Sequence, residues 1–186
     1  EGVPCGTVFS YSYAAGAIFR AARSSGLRTV LGQIDPGPVE DQLVASLYER
    51  AGQSSRYERI PERYWHRWRE EIALSDVIVV NSDWSKRALV SLGVSASKVT
   101  IVPLAYDRPR SEAGVRRELP SEFTHDRPLR LLFLGQVTFP KGIGPVLEAM
   151  QRMPDAPMRL DIVGEVQIDL PAWTIADTRI VLHGAV

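Results

Sequence analysis

Residues 129–149, LRLLFLGQVTFPKGIGPVLEA, decide how this chain is read. Leu131–Leu134, with Leu129 just before them, form an apolar run that stops at Gly135. A polar and aromatic turn follows, then Lys141 and Gly142. Ile143, Val146, Leu147 and Met150 come next, spaced i, i+3, i+4, i+7 along one helix face. The stretch reads strand, turn, helix. Such an apolar run predicts a strand buried on both faces, as in a parallel sheet. The unit delivers backbone N–H groups and a lysine to a helix N-terminus, where an anion can bind.

Upstream the same alternation appears twice. Thr7–Ser10 is a short β-prone piece. Tyr13–Ser25 reads as a helix, with Ile18 and Ala22 at helical spacing and Gly26 suited to the C′ position. Thr29–Ile34 reads as the next strand, so the three pieces have the size of a βαβ unit. That strand runs into Gln33-Ile34-Asp35-Pro36-Gly37-Pro38, where proline and glycine end regular structure. Polar groups just past the C-terminal end of a parallel strand stand where α/β folds bind ligands. Gln33 and Asp35 are therefore candidates, beside the plainer reading of turn chemistry.

Val39–Ala51 reads as a helix with Leu43, Leu47 and Ala51 on one face, and Gln53–Arg59 as a loop. Pro61–Leu74 is an amphipathic stretch with Tyr64, Trp68 and Ile72 at i+4 spacing and Trp65 beside them. An aromatic helix bearing arginines can rest on lipid. Acidic residues dilute its basic face, so core packing of the stripe is the favoured reading. Asp76–Asn81 reads as a buried strand. Asn81 or Ser82 can cap the helix that follows, which is expected to turn Trp84, Ala88, Leu89 and Leu92 inward. Lys98–Val102 is another strand, stopped by Pro103. Leu104–Pro128 reads as a connector with a short helix near Glu112–Leu119. Beyond the organising stretch, Pro157–Val163 is a strand ending at Gly164-Glu165, Val166–Ala176 a loop, and Thr178–Leu182 a last strand ending at His183-Gly184.

Composition bounds what this can be. The 186 residues suffice for one domain or two small ones, and 45% hydrophobic content supports a core. Lys plus Arg and Asp plus Glu balance at 22 each, which gives no overall drive toward nucleic acid or an acidic membrane. The single cysteine, Cys5, allows no intramolecular disulfide, and a reducing, cytoplasmic setting is the simpler expectation. No run has the length of a membrane span, and no signal peptide is visible. His66, His125 and His183 lie far apart in sequence without metal-ligand spacing. There is no P-loop, and Gly135–Gly144 does not fit GxGxxG, which speaks against a nicotinamide site.

Two blocks in this order, SDVIVVNSDWSKRALVSLGVSASKVTIVPLAYD (75–107) and LRLLFLGQVTFPKGIGPVLEAM followed by RLDIVGE (129–150 and 159–165), resemble the group-1, family-4 retaining glycosyltransferases of GT-B type. The resemblance implies an α/β, GT-B-like fold with parts of two Rossmann-like domains built on parallel sheets. It divides the chain into a partial acceptor-side domain (1–105), a linker (106–128) and a partial nucleotide-sugar donor domain (129–186). The chain would then be an internal fragment, without the family's N-terminal glycine-rich loop and its later glutamate pair. The implied activity moves a sugar from a nucleotide-diphosphate sugar to a hydroxyl acceptor. The nucleotide sugar is a co-substrate, with no further cofactor and no metal. A peripheral membrane contact through Tyr64–Arg69 would suit a lipid acceptor. No nucleic-acid partner is implied, and the oligomeric state is left open.

The resemblance also implies roles for particular residues. Gly135 and Lys141 match the family's turn, in which the lysine contacts the donor diphosphate. Gln136 stands where relatives carry arginine. Glutamine can donate hydrogen bonds but brings no charge and no bidentate fork. Gly142 can admit a close backbone approach to phosphate. Gly164 and Glu165 match a turn near the nucleotide, where Glu165 is either a ribose ligand or a turn carboxylate. Gly184 matches a strand-end glycine near the base. On the acceptor side Ile34 falls where many relatives have histidine, which leaves Gln33 and Asp35 as substitutes. Ser82 matches a common serine, and helix capping accounts for it equally. Two alternatives stand beside transfer chemistry: a catalytically inactive GT-B-like binding or scaffold module, motivated by Gln136, and a Rossmann enzyme using another nucleotide.

Overall fold

The computed structural model describes residues 6–106 and 120–185. Cys5, residues 107–119 of the connector and the helix expected near Glu112–Leu119 lie outside the described residues. The described residues fall into two compact units, 6–43 with 58–106 and 44–57 with 120–185. Residues 44–57 thus group with the second unit, although they precede the connector.

The first unit carries a parallel sheet in the order β1-β2-β3-β4, from Thr7–Tyr11, Arg28–Gly32, Val77–Val80 and Val99–Ile101. Helix α1 (Gly16–Ser24) connects β1 to β2, and α4 (Asp83–Ser91) connects β3 to β4. Helices α2 (Pro38–Arg50) and α3 (Glu62–Leu74) lie between β2 and β3 in sequence. The core gathers Phe19, Leu31, Ile78, Val80 and Leu89 with Trp65 and Trp68 of α3. Both tryptophans are therefore packed inward, as the core-packing reading expects, while Tyr64 of the same helix is exposed. Ser82 accepts a hydrogen bond from the Ser85 N–H and caps α4, as one of its two readings expected.

Three helix faces differ from expectation. On α2 the buried positions are Asp41, Val44 and Tyr48, one residue on from the apolar stripe. The Tyr48 ring reaches an aromatic neighbour, whereas Leu43 is exposed. On α4, Trp84 and Leu92 are exposed, and Ser85, Ala88 and Leu89 make the buried face. That nine-residue helix covers only a narrow stripe of the edge strand. On α1, Ile18 faces solvent, while Phe19 and Ala22 pack.

The N-terminus of α1 has no side-chain cap of its own. Glu71 of α3, 4% exposed, supplies one. Its carboxylate accepts the N–H groups of Tyr13 (2.6 Å), Ala15 (2.9 Å) and Gly16 (3.0 Å). First-turn amides have no partners inside a helix, and a negative charge there is favoured by the helix dipole. The same bonds neutralise the cost of burying the carboxylate.

The second unit has a parallel sheet in the order β5-β6-β7, from Leu129–Leu134, Met158–Val163 and Ile180–Gly184. Helix α5 (Ile143–Arg152) joins β5 to β6. A short helix α6 (Ala172–Ala176) stands where a continuous loop was expected. Ile143, Leu147 and Met150 of α5 pack on Leu160, Ile162 and Ile180, with Val44 and Tyr48 in the same cluster. Strand β5 is not buried on both faces. Among the described residues it pairs with β6 alone, and its residues alternate: Leu131 and Phe133 pack on the core, while Leu132 and Leu134 are 65% and 71% exposed. An apolar run alone does not distinguish a two-sided strand from a one-sided edge. The first sheet similarly leaves Phe9 and Tyr11 of β1 exposed.

Replacing Glu71 by alanine leaves three amides without their acceptor. The expected loss is about 3 kcal/mol of stability, read as a lower midpoint in urea unfolding at an unchanged slope. An unchanged midpoint would show that the cap is dispensable.

Candidate functional site

The second unit brings its strand-end glycines together. The Gly135 N–H donates to the Val163 carbonyl (2.9 Å) and the Gly164 N–H to the Gly184 carbonyl (2.7 Å). Gly164 has φ +146° and lies against the backbone of Gly135, so that a Cβ on Gly164 would stand 1.9 Å from the Gly135 oxygen. Only glycine fits there. Past these residues the chains stay paired: Val137 bridges Val166, its N–H donating to the Glu165 carbonyl at 2.8 Å. Gly135, Gly164 and Gly184 thus form the C-terminal edge of the sheet, where α/β folds bind ligands.

The β5–α5 turn stands on that edge. Phe139–Lys141 makes one 3-10 turn, and Gly142 follows in the left-handed region at φ +82°. Gly142 is also the N-cap of α5, and no side chain caps that helix. Lys141 and Gln136 are both exposed. Glu165 is exposed and accepts a hydrogen bond from Gln167 Nε2 (2.9 Å). A cation placed beside a helix N-terminus is electrostatically mismatched, and an anion between the lysine and the first-turn amides relieves the mismatch.

The sheet beneath holds a second polar group. Asp161 of β6 meets His183 Nε2 at 2.9 Å, Arg159 at 3.4 Å and Arg130 at 3.5 Å. The His183 hydrogen bond, then the two arginines, hold its carboxyl below the usual carboxylate range against desolvation. The histidine spacing in sequence gave no hint of this pairing. Strand register does, since Asp161 lies opposite Val181, two residues from His183.

In the first unit the candidate residues also cluster. Asp35, past the end of β2, accepts the Tyr13 hydroxyl (2.6 Å) and the Gly37 N–H (2.7 Å). Gln33 is buried and fully engaged: Nε2 donates to the Asp35 carbonyl (2.7 Å), and Oε1 accepts from Trp68 Nε1 (3.1 Å). It positions Asp35 and does not face solvent. Tyr13 has φ +72°, uncommon for a residue with a side chain. Its ring stacks on Tyr64 at 4.8 Å. Burial, the hydrogen bond to Asp35 and its charge push the Tyr13 phenol's pKa well up. Sequence reading missed Tyr13 and Glu71, because their partners are distant in the chain.

Among the described residues no group of three His, Cys, Asp or Glu side chains stands together as a metal site. No helix among them is long and apolar enough to cross a membrane.

With this geometry in view, solved structures with the same fold can be compared. Anabaena HepE, solved in complex with UDP, superposes with a TM-score of 0.55 at 13% identity, over 96% of this chain and 48% of its own. The lipopolysaccharide outer core galactosyltransferase WaaB, in its apo form, gives 0.52 at 15% identity, over 91% of this chain and 47% of its own. This chain spans about half the length of each. The fold class is thus that of the GT-B glycosyltransferases: α/β, with two Rossmann-like parallel sheets. No family profile matches the sequence. No curated protein matches it either.

Gly164→Ala is expected to destabilise the second unit by more than 3 kcal/mol, since backbone must move. Gly184→Ala, with open space around the added methyl, costs only the left-handed penalty of about 1–2 kcal/mol. Chemical denaturation of the two variants separates these outcomes. Acid unfolding tests Asp161. A carboxyl held below its ordinary pKa stabilises the fold fully above about pH 4 and loses that contribution as pH falls through the folded value. Asp161→Asn should therefore flatten the acid limb of the stability profile below about pH 4.

Proposed function

We infer that this chain is an internal part of a retaining glycosyltransferase of the group-1, family-4 kind. Its second unit holds the diphosphate of a nucleotide sugar, and its first unit faces a hydroxyl acceptor. The observation that carries the reading is the uncapped α5 N-terminus. It opens at Gly142, beside Lys141, on the edge where Gly135, Gly164 and Gly184 converge. Two further observations support it: the chain spans about half of the solved structures sharing its fold, and each sheet exposes apolar residues on one face.

The chemistry follows from the charges. The bond between sugar C1 and the phosphate oxygen breaks, and its electron pair stays on the phosphate. Positive charge develops on the sugar ring and negative charge on the leaving diphosphate. Lys141 and the first-turn amides of α5 stabilise that leaving group, and Gln136 adds hydrogen bonds without charge. The acceptor oxygen bonds to C1 and passes its proton to the leaving diphosphate oxygen. In this reading Glu165 meets a ribose hydroxyl, and Asp35 offers the acceptor side a carboxylate.

The neutral Gln136 favours one second reading, a GT-B-like module that binds nucleotide without transferring sugar. Calorimetric titration with UDP and GDP tests the shared premise. Lys141→Ala should weaken binding at least tenfold, about 1.4 kcal/mol, with an unchanged unfolding midpoint. Equal affinity in the variant would remove the phosphate from this turn. Nucleotide binding without sugar transfer in the longer parent protein would select the second reading.

A further inference from the structure

The segment 44–57 meets the rest of the second unit on the two loops that carry the candidate donor residues. Tyr48, buried on the second half of α2, sets its ring edge-on to Phe139 at 5.0 Å, and Tyr57 stacks on Tyr48 at 5.5 Å. Phe139 opens the turn that ends in Lys141. The other anchor is Gln53. Its Nε2 donates to the Asp169 carbonyl and its Oε1 accepts the Asp169 N–H, both at 2.8 Å. Arg56 donates from Nε to the Asp169 carboxylate at 3.2 Å and pairs with it again through the other guanidinium nitrogen. Asp169 follows Gly164-Glu165 in the β6–α6 loop. Between the anchors lies a cleft of about 300 Å³, bordered by Gln53, Phe139, Ile143, Ile168 and Trp173.

We propose that residues 44–57 are a brace for the nucleotide site, in which Tyr48 anchors the Lys141 turn and Gln53 with Arg56 anchors the β6–α6 loop. The proposal rests on the donor-site reading above. A side-chain amide bonded both ways to the backbone of one residue acts as an extra rung on a loop that otherwise ends its pairing at Val137 and Val166. The Arg56–Asp169 pair is exposed and adds little to global stability. Its effect falls on loop order. A loop ordered in advance does not have to be ordered by the ligand, and affinity rises accordingly. Gln53 and Arg56 are positioning residues that need not touch the nucleotide.

The test compares the longer parent protein with its Gln53→Ala/Arg56→Ala variant, using UDP calorimetry, thermal unfolding and amide hydrogen exchange. The double variant is expected to keep its unfolding midpoint, exchange the amides of 165–170 about tenfold faster and bind UDP about fivefold more weakly. Arg56→Lys alone should retain most of the affinity. Unaltered exchange over 165–170 overturns the brace, whatever the nucleotide does. Faster exchange with UDP bound equally well overturns its role at the site. Failure of the unaltered chain to bind UDP overturns the donor reading instead, and is told apart because exchange still rises in the variant.

Discussion

Gly164 and Gly135 approach so closely that no side chain could stand between them, and the second unit's candidate site depends on that approach. Parallel strands leave a sheet at their C-terminal ends with backbone groups that must find partners. Here β5, β6 and β7 satisfy them by staying together: Gly135 donates to Val163, Gly164 to Gly184, and Val137 to Glu165. Extending the pairing carries the chain past the sheet edge into the β5–α5 turn. It also delivers Lys141 and the start of α5 to one place. The geometry is set by missing atoms, the Cβ at Gly164 above all.

The first unit solves the same problem in the opposite way. Its helix start after β1 is filled by a carboxylate of its own, that of Glu71. The N-terminus of α1 is already occupied, whereas α5 begins without a side-chain cap. One βα junction is closed by a side chain of the protein, and the other is not. Nearby, Asp35 is fixed by Tyr13, Gly37 and the buried Gln33–Trp68 pair, so its carboxylate stands on a rigid support.

Much of the fold was legible because parallel α/β units write themselves locally. Apolar runs stop at glycine, and helical spacing resumes a few residues later. The alternation of strands and helices and the Gly135–Lys141 turn follow from that pattern. What escaped depends on distance along the chain. Glu71 lies 58 residues from Tyr13, and Gln53 lies 116 from Asp169. No periodicity signals such pairs. The inward face of α2 was misread by one position, because Tyr48 packs through an aromatic partner in another segment. The exposure of Leu132 and Leu134 was invisible for a related reason. A run of leucines looks the same whether one face or both are covered.

The composition of the second unit from 44–57 and 120–185 has a consequence for synthesis. A chain emerging from the ribosome can complete the four-stranded sheet as soon as β4 has appeared. Val44, Tyr48 and Tyr57 have by then already emerged, yet the strands and helix they pack against begin only at Leu129. At about 5–20 residues per second, these apolar side chains wait on the order of several seconds for their partners. During that interval α2 has one half in a finished unit and the other half uncovered, in reach of a chaperone. A chain divided at the connector leaves part of the second unit's core, Val44 and Tyr48, on the wrong side of the cut.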